Sequence, residues 1–220
     1  MKLLCTSDIH RNGLVADNIL QTIENENIDV FINAGDFLDN QFAYNFFKRL
    51  KVRSFIVRGN WDSGMDYNSK YVTVGDGVFR YGEYSFLCVG GGRPFGVDET
   101  LDAVKDVASE KLIMVTHYPP YGILDSAWSN AHAGFMEYRK FLSVKNPCMH
   151  VFGHIHESNG CEMAGKTLAI NCALTDHGMG RGYIVDLPDK NIKVVNLNER
   201  KHYTPFKVQS TISRIIGKRK

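Results

Sequence analysis

Residues 1–10 read Met-Lys-Leu-Leu-Cys-Thr-Ser-Asp-Ile-His, a short apolar run over Lys2–Thr6 that ends in Asp8-Ile9-His10. A run this short, closed by polar residues, predicts a buried strand rather than a helix. The pattern recurs twice: Asp29–Asn33 (DVFIN) runs into Gly35-Asp36-Phe37-Leu38-Asp39, and Arg53–Val57 runs into Gly59-Asn60-Trp61-Asp62. Between these strands, Leu14–Glu26 carries Ile19, Leu20 and Ile23 on one helical face, and Gln41–Leu50 is an aromatic-rich helix. A βαβαβ rhythm of this kind predicts an α/β sheet or sandwich with helices packed outside it.

The middle of the chain changes character. Residues 71–92 hold Gly75, Gly77, Gly82 and Gly90 to Gly92 between β-rich stretches such as Tyr84–Val89, which predicts hairpins. Glu99–Ser109 and Gly134–Leu142 are expected helices. Lys111–Thr116 and Pro147–Phe152 are expected strands, followed by β-rich segments at Cys161–Ala164, Thr167–Cys172, Tyr183–Leu187 and Ile192–Leu197. The expected organisation is one domain over residues 1–200 and a basic extension over 201–220.

The 220 residues carry 26 Lys+Arg and 24 Asp+Glu, with 44% apolar and 23% charged residues, which excludes a disordered, collagen-like or coiled-coil chain. The extension holds Lys201, Lys207, Arg214, Lys218, Arg219 and Lys220 and no acid, so the first 200 residues are net −4. An acidic body suits cations better than nucleic acid, and the basic extension is a candidate polyanion contact. Five cysteines without a C-x-x-C spacing, and no apolar run of about 18–20 residues, point to a reducing cytoplasm, core cysteines and no membrane span.

The chemistry-bearing residues sit where strands end. Besides Asp8/His10, Asp36/Asp39 and Asn60/Asp62, the 111–116 strand ends at His117 and the 148–152 strand at Gly153-His154-Ile155-His156. Ligand sites of open α/β sheets lie beyond the carboxyl ends of strands, so these five ends are expected at one edge. Asp, Asn and His together suit Mn, Fe, Zn or Ni more than Mg. There are more donors than one tetrahedral ion needs, and two ions sharing a carboxylate would use them all. Taken singly each element is weak; Asp36, for example, could be a helix cap.

The ordered series D-x-H, G-D-x-x-D, G-N-x-D, H, G-H-x-H resembles the calcineurin-like metallophosphoesterases over about residues 1–198. The stretches Thr116–Gly122 and Gly165–Leu168 look closest to small Icc-related prokaryotic phosphoesterases without a cap domain. The resemblance implies a four-layer α/β/β/α sandwich and a dinuclear centre. Asp8, His10 and His156 would hold one metal, Asn60, His117 and His154 the other, and Asp36 would bridge. Asp36, Asn60 and His117 would serve the reaction directly. A metal-bridging hydroxide would attack phosphorus in line, and manganese is the favoured metal, with Fe, Ni and Zn as alternatives. Asp39 and Asp62 would orient ligands or their loops.

The match departs at Trp61, where many members carry a histidine that contacts phosphate and helps protonate the leaving oxygen. Indole cannot supply that proton. His177, in a glycine-rich loop, is a candidate substitute. Arg11, where glycine is frequent in the family, is a candidate phosphate clamp, and Asn12 could face the site. Trp128 and Tyr121 are candidates for a base- or aryl-binding wall beside His117, with core or surface packing as the alternative. His132, His150 and His202 have no motif support. The expected activity is hydrolysis of a phosphodiester, with a small phosphoester or nucleotide as substrate. The alternatives are phosphomonoesterase, nuclease and a non-catalytic protein-binding scaffold. Asp39 is followed by Asn40 rather than arginine, which disfavours a protein phosphatase.

Overall fold

In the first strand Leu3 and Cys5 face one way and Leu4 the other, and all three are fully buried. A strand apolar on both faces needs a cover on each side, and that requirement builds the molecule. The computed structural model describes residues 1–92, 94, 96–174 and 181–199. Expectations that concern His177, His202 and the 201–220 extension lie outside the described residues.

In chain order the elements are β1 (Lys2–Thr6), α1 (Gly13–Asn25), β2 (Val30–Asn33), α2 (Asn40–Arg49), β3 (Arg53–Ile56), β4 (Val72–Val74), β5 (Gly77–Tyr81), β6 (Tyr84–Val89), α3 (Val97–Ala103), β7 (Leu112–Thr116), α4 (Met136–Lys145), β8 (Met149–Phe152), β9 (Gly160–Ala164), β10 (Thr167–Asn171), β11 (Arg181–Asp186) and β12 (Asn191–Asn196). Two six-stranded mixed sheets form, in the orders β12-β11-β1-β2-β3-β4 and β5-β6-β7-β8-β10-β9. Their facing sides make the central core, where Phe55 of β3 stacks on Phe86 of β6 with ring centroids 4.2 Å apart. The outer face of the first sheet packs on α1 and α2, and that of the second on α4. The fold is the four-layer α/β/β/α sandwich. Each fully buried Phe of the central layer contributes about 2–3 kcal/mol of burial.

Local signals explain the helix ends. Asn12 caps α1 by accepting from Val15 N at 3.1 Å, and Asp39 caps α2 by accepting from Phe42 N at 2.6 Å. Both side chains thus hold helix starts, the capping use that the sequence also allows for Asp39. Asn27 ends α1 in the left-handed region at φ 52°, with Ile28 N returning to Ile23 O at 3.0 Å.

Two helices differ from their expected bounds for tertiary reasons. α3 starts earlier and stops at Ala103, because Val104 turns into the core and Lys145 Nζ takes up its carbonyl at 2.6 Å. α4 starts at Met136 rather than Gly134, because Phe135 is held extended against Pro119 and Tyr121, at 3.0 Å in each case. Cys161 is exposed, unlike the other four cysteines. It lies on the edge strand β9, outside the core expected for it.

His150 is wholly buried on the α4 side of β8, with Nε2 2.8 Å from Thr116 Oγ1. Burial holds its imidazole down at about 3. An unfolded histidine takes its proton near 6.5, so between those values the unfolded chain binds the extra proton. Stability is then fully present above about pH 6.5 and is lost as the pH falls through that window. The melting temperature is expected to drop from pH 6.5 to 4, and less steeply in a His150→Leu variant. Equal slopes in the two proteins would contradict this account.

Candidate metal centre

Strands β1, β2 and β3 run parallel, as do β6, β7, β8 and β10, so their carboxyl ends gather at one edge of each sheet. The two edges are joined across the sandwich. Ser7 N donates to Cys172 O at 3.0 Å, and Gly91 N to Arg58 O at 2.7 Å. All five strand-end motifs lie on this seam. The close approach needs glycine at two points. A Cβ on Gly153 would overlap Ser7 Oγ and the Asp8 carboxylate, and one on Gly59 would overlap the Asp36 carboxylate.

Within the seam two groups of ligand atoms form, Asp8/His10/His156 and Asp36/His117/His154, with the atoms of each group within 4.8 Å of one another. Asp8 Oδ1 lies 3.7 Å from His10 Nε2 and 3.4 Å from His156 Nε2. Asp36 Oδ2 lies 3.4 Å from His117 Nε2 in its own group and 3.9 Å from His10 Nε2 in the other. Asn60 Oδ1 lies 2.8 Å from His117 Nε2, which adds Asn60 to the second group. All seven residues singled out as ligands in the sequence are thus brought together.

The backbone is bent to achieve this. Asp8, His10, Asp36 and His154 have φ of 56°, 48°, 61° and 69°, left-handed values that cost about 1–2 kcal/mol each. A hydrogen-bond lattice holds them. Asp8 N donates to Gly35 O at 2.7 Å, His10 N to Asp36 O at 3.1 Å, and His154 N to Asp8 Oδ2 at 3.0 Å. Asp62, 4% exposed, accepts from Asp36 N, Phe37 N, Leu38 N and Gly59 N at 2.7, 2.8, 3.3 and 2.9 Å. It organises the Asp36 loop, a role of the kind expected for it. Burial pushes its carboxyl up against the pull of those donors. Arg11 also sits at positive φ, 57°, a conformation in which glycine would be unstrained. Its side chain is exposed just past His10.

The electrostatics favour a cation. Burial opposes ionisation of Asp36, yet His10, His117 and the Trp61 N–H, which donates to Oδ1 at 3.0 Å, hold the carboxyl well below its usual range. Asp8 is buried too, and His156, His117 and Ser7 lower it. Burial and the His117 charge hold His154 at about 4, which leaves its imidazole neutral. His117 is opposed by its burial but raised by Asp36, Asp8 and Ala34. Its Nδ1 is 2.8 Å from Ala34 O, an acceptor only, so Nδ1 carries the proton. Nε2 then faces Asn60 Oδ1 and Asp36 Oδ2, an oxygen-rich setting that either a proton on Nε2 or a bound cation satisfies. Asp8 Oδ1 is buried with no hydrogen-bond partner among the described residues. The donor set therefore fits divalent metal ions.

Some neighbours escaped the sequence reading. Tyr118 packs its ring on His154 with centroids 3.9 Å apart and touches Phe135 at 4.8 Å, fixing the imidazole from outside. Asp125, 1% exposed, accepts from Gly122 N, Gly134 N and His132 Nδ1 at 2.9, 3.1 and 2.7 Å and ties down the loop after His117. No spacing signal marked this pair. Tyr121 and Trp128 stand on the same loop, 40% and 86% exposed.

The family model described as calcineurin-like phosphoesterase matches residues 1–158. A UPF0046 protein of Caenorhabditis elegans is 26% identical over 218 residues, covering 81% of this chain and 71% of that protein. Metallophosphoesterase domain-containing protein 1 of Homo sapiens is 34% identical over 83 residues, covering 34% of this chain and 25% of that protein. Among solved structures, TT1561 of Thermus thermophilus superposes with a TM-score of 0.66 at 15% identity, covering 89% of this chain and 98% of its own. An archaeal phosphodiesterase superposes with a TM-score of 0.59 at 16% identity, covering 89% and 99%. These two likenesses concern the fold.

Proposed function

The chain belongs to the calcineurin-like phosphoesterase family, and from that premise we propose that it hydrolyses phosphodiesters with two divalent transition-metal ions. The observation that supports this most is Asp36 Oδ2, set 3.4 Å from His117 Nε2 and 3.9 Å from His10 Nε2, between the two ligand groups. Asp8, His10 and His156 would hold one ion, Asn60, His117 and His154 the other, and Asp36 would be shared. Manganese is the first candidate, with Fe, Ni and Zn next. Bound there, the ions supply Lewis acidity and positive charge for in-line attack by water on phosphorus.

The chain's own residues do the positioning. Ala34 O fixes the His117 tautomer, Tyr118 fixes the His154 ring, and Asp62 fixes the backbone beneath Asp36. The Asn60 amide would help stabilise the charge that develops on the phosphoryl oxygens. Trp61 brings no proton to the leaving oxygen, so esters whose leaving groups need none are favoured: aryl diesters ahead of alkyl ones.

The test is metal analysis with a substrate panel. The protein is assayed with Mn, Fe, Ni, Zn or Mg on bis(p-nitrophenyl) phosphate, cyclic nucleotides and monoesters. About two metal equivalents per chain and chelator-sensitive hydrolysis, fastest on the aryl diester, are expected. Monoesters outrunning diesters would sink the diester preference. No bound metal and no turnover across the panel would replace the hydrolase by a scaffold.

A further inference from the structure

Trp61 stands between two residues that turn inward. Asn60 reaches His117, and Asp62 is buried under the Asp36 loop. The backbone N–H of Trp61 itself touches the Asp36 carboxylate at 3.0 Å, so its side chain starts at the lip of the ligand cluster. The residue is nevertheless 68% exposed. Among the described residues its indole has no hydrogen bond and no ring contact, although Tyr118, His117 and His154 pack against one another nearby. An indole left in water forgoes most of its burial energy. A polar side chain would close the same turn without that loss.

We infer that Trp61 is a stacking platform for a flat aromatic group, a nucleobase or aryl ring, attached to the phosphoester held at the metal centre. The inference rests on the hydrolase reading above and narrows its substrate class. Where motif three of the resembling family offers an imidazole to the phosphate, this chain offers a broad π face to the group next to it. Every nucleobase and aryl ring presents a matching face, and stacking discriminates such groups from alkyl and sugar substituents without base-specific hydrogen bonds. The commitment is to a ring carried by the substrate itself, because the Trp61 backbone adjoins the Asp36 carboxylate rather than a remote surface.

The chain has two tryptophans, so a Trp128→Phe variant reports on Trp61 alone. In the zinc-loaded variant, 5′-AMP and phenyl phosphate are expected to quench and shift the emission, and ribose 5-phosphate to leave it unchanged. A response to AMP alone assigns the platform to nucleobases; a response to both assigns it to rings in general. An equal response to ribose 5-phosphate, or none to either ring compound, overturns the inference. In kinetics, Trp61→Ala should raise KM for an aryl or nucleotide diester about tenfold relative to dimethyl phosphate, the size of one lost stack. Trp61→Phe should restore part of it. A uniform fall in kcat on every substrate, or a lowered melting temperature with no change in the KM ratio, would mean that Trp61 only shapes the turn. Zinc content and turnover of the Trp128→Phe protein are measured alongside, so failure of the hydrolase reading is recognised separately.

Discussion

An Asp36→Asn protein is expected to keep its fold and to lose at least about a hundredfold in aryl diester hydrolysis, with bound metal falling from about two equivalents to one or fewer. The amide matches the carboxylate in shape and can still accept from Trp61 N, so the turn survives. What disappears is the negative charge between His10 and His117. One amide oxygen cannot serve two cations, and the amide nitrogen has no lone pair to offer a metal. Metal content measured beside turnover decides the matter. Full metal occupancy with unchanged activity would show that the two ligand groups act without a shared carboxylate.

Asp62→Ala is expected to have the larger effect on the fold itself. Four backbone N–H groups converge on this one carboxylate at 2.7 to 3.3 Å. Removing it leaves several buried donors unpaired, at about 1–3 kcal/mol each where water does not reach them. A loss of about 4 kcal/mol is a reasonable scale, a large part of a domain's stability. The same deletion frees Asp36 and the residues after it from their left-handed turn, so metal binding should go with it. Denaturant unfolding and metal titration measure the two effects. Asp62→Asn should be milder, because its oxygen keeps some of the donors. Stability within about 0.5 kcal/mol of the parent in Asp62→Ala would refute the assignment.

The central strands were legible because each is apolar on both faces: Leu3, Leu4 and Cys5, and Phe31 with Ile32, admit no surface position. The ligand residues were legible because each follows such a strand, and parallel strands deliver their ends to one edge. Helix bounds were less so. α3 and α4 are trimmed by Lys145 and by the Pro119–Phe135 pairing, contacts between residues far apart in the chain that no local pattern encodes. Asn12 and Asp39 were ambiguous because Asn and Asp serve both as caps and near polar sites; their reach to Val15 N and Phe42 N shows the capping use.

Residue type and order alone thus determined the central strands and the donor-bearing strand ends, while the four layers and the ligand set came from the family resemblance; burial periodicity and ligand chemistry are properties of the chain read in one dimension. Only the tertiary structure decided that Asp36 lies between the two groups, that Asp62 holds its loop, that Tyr118 braces His154, and that Trp61 faces water. Those facts depend on distances between separate strand ends, set by sheet pairing and by glycines at the seam, and such distances exist only once the two sheets have packed.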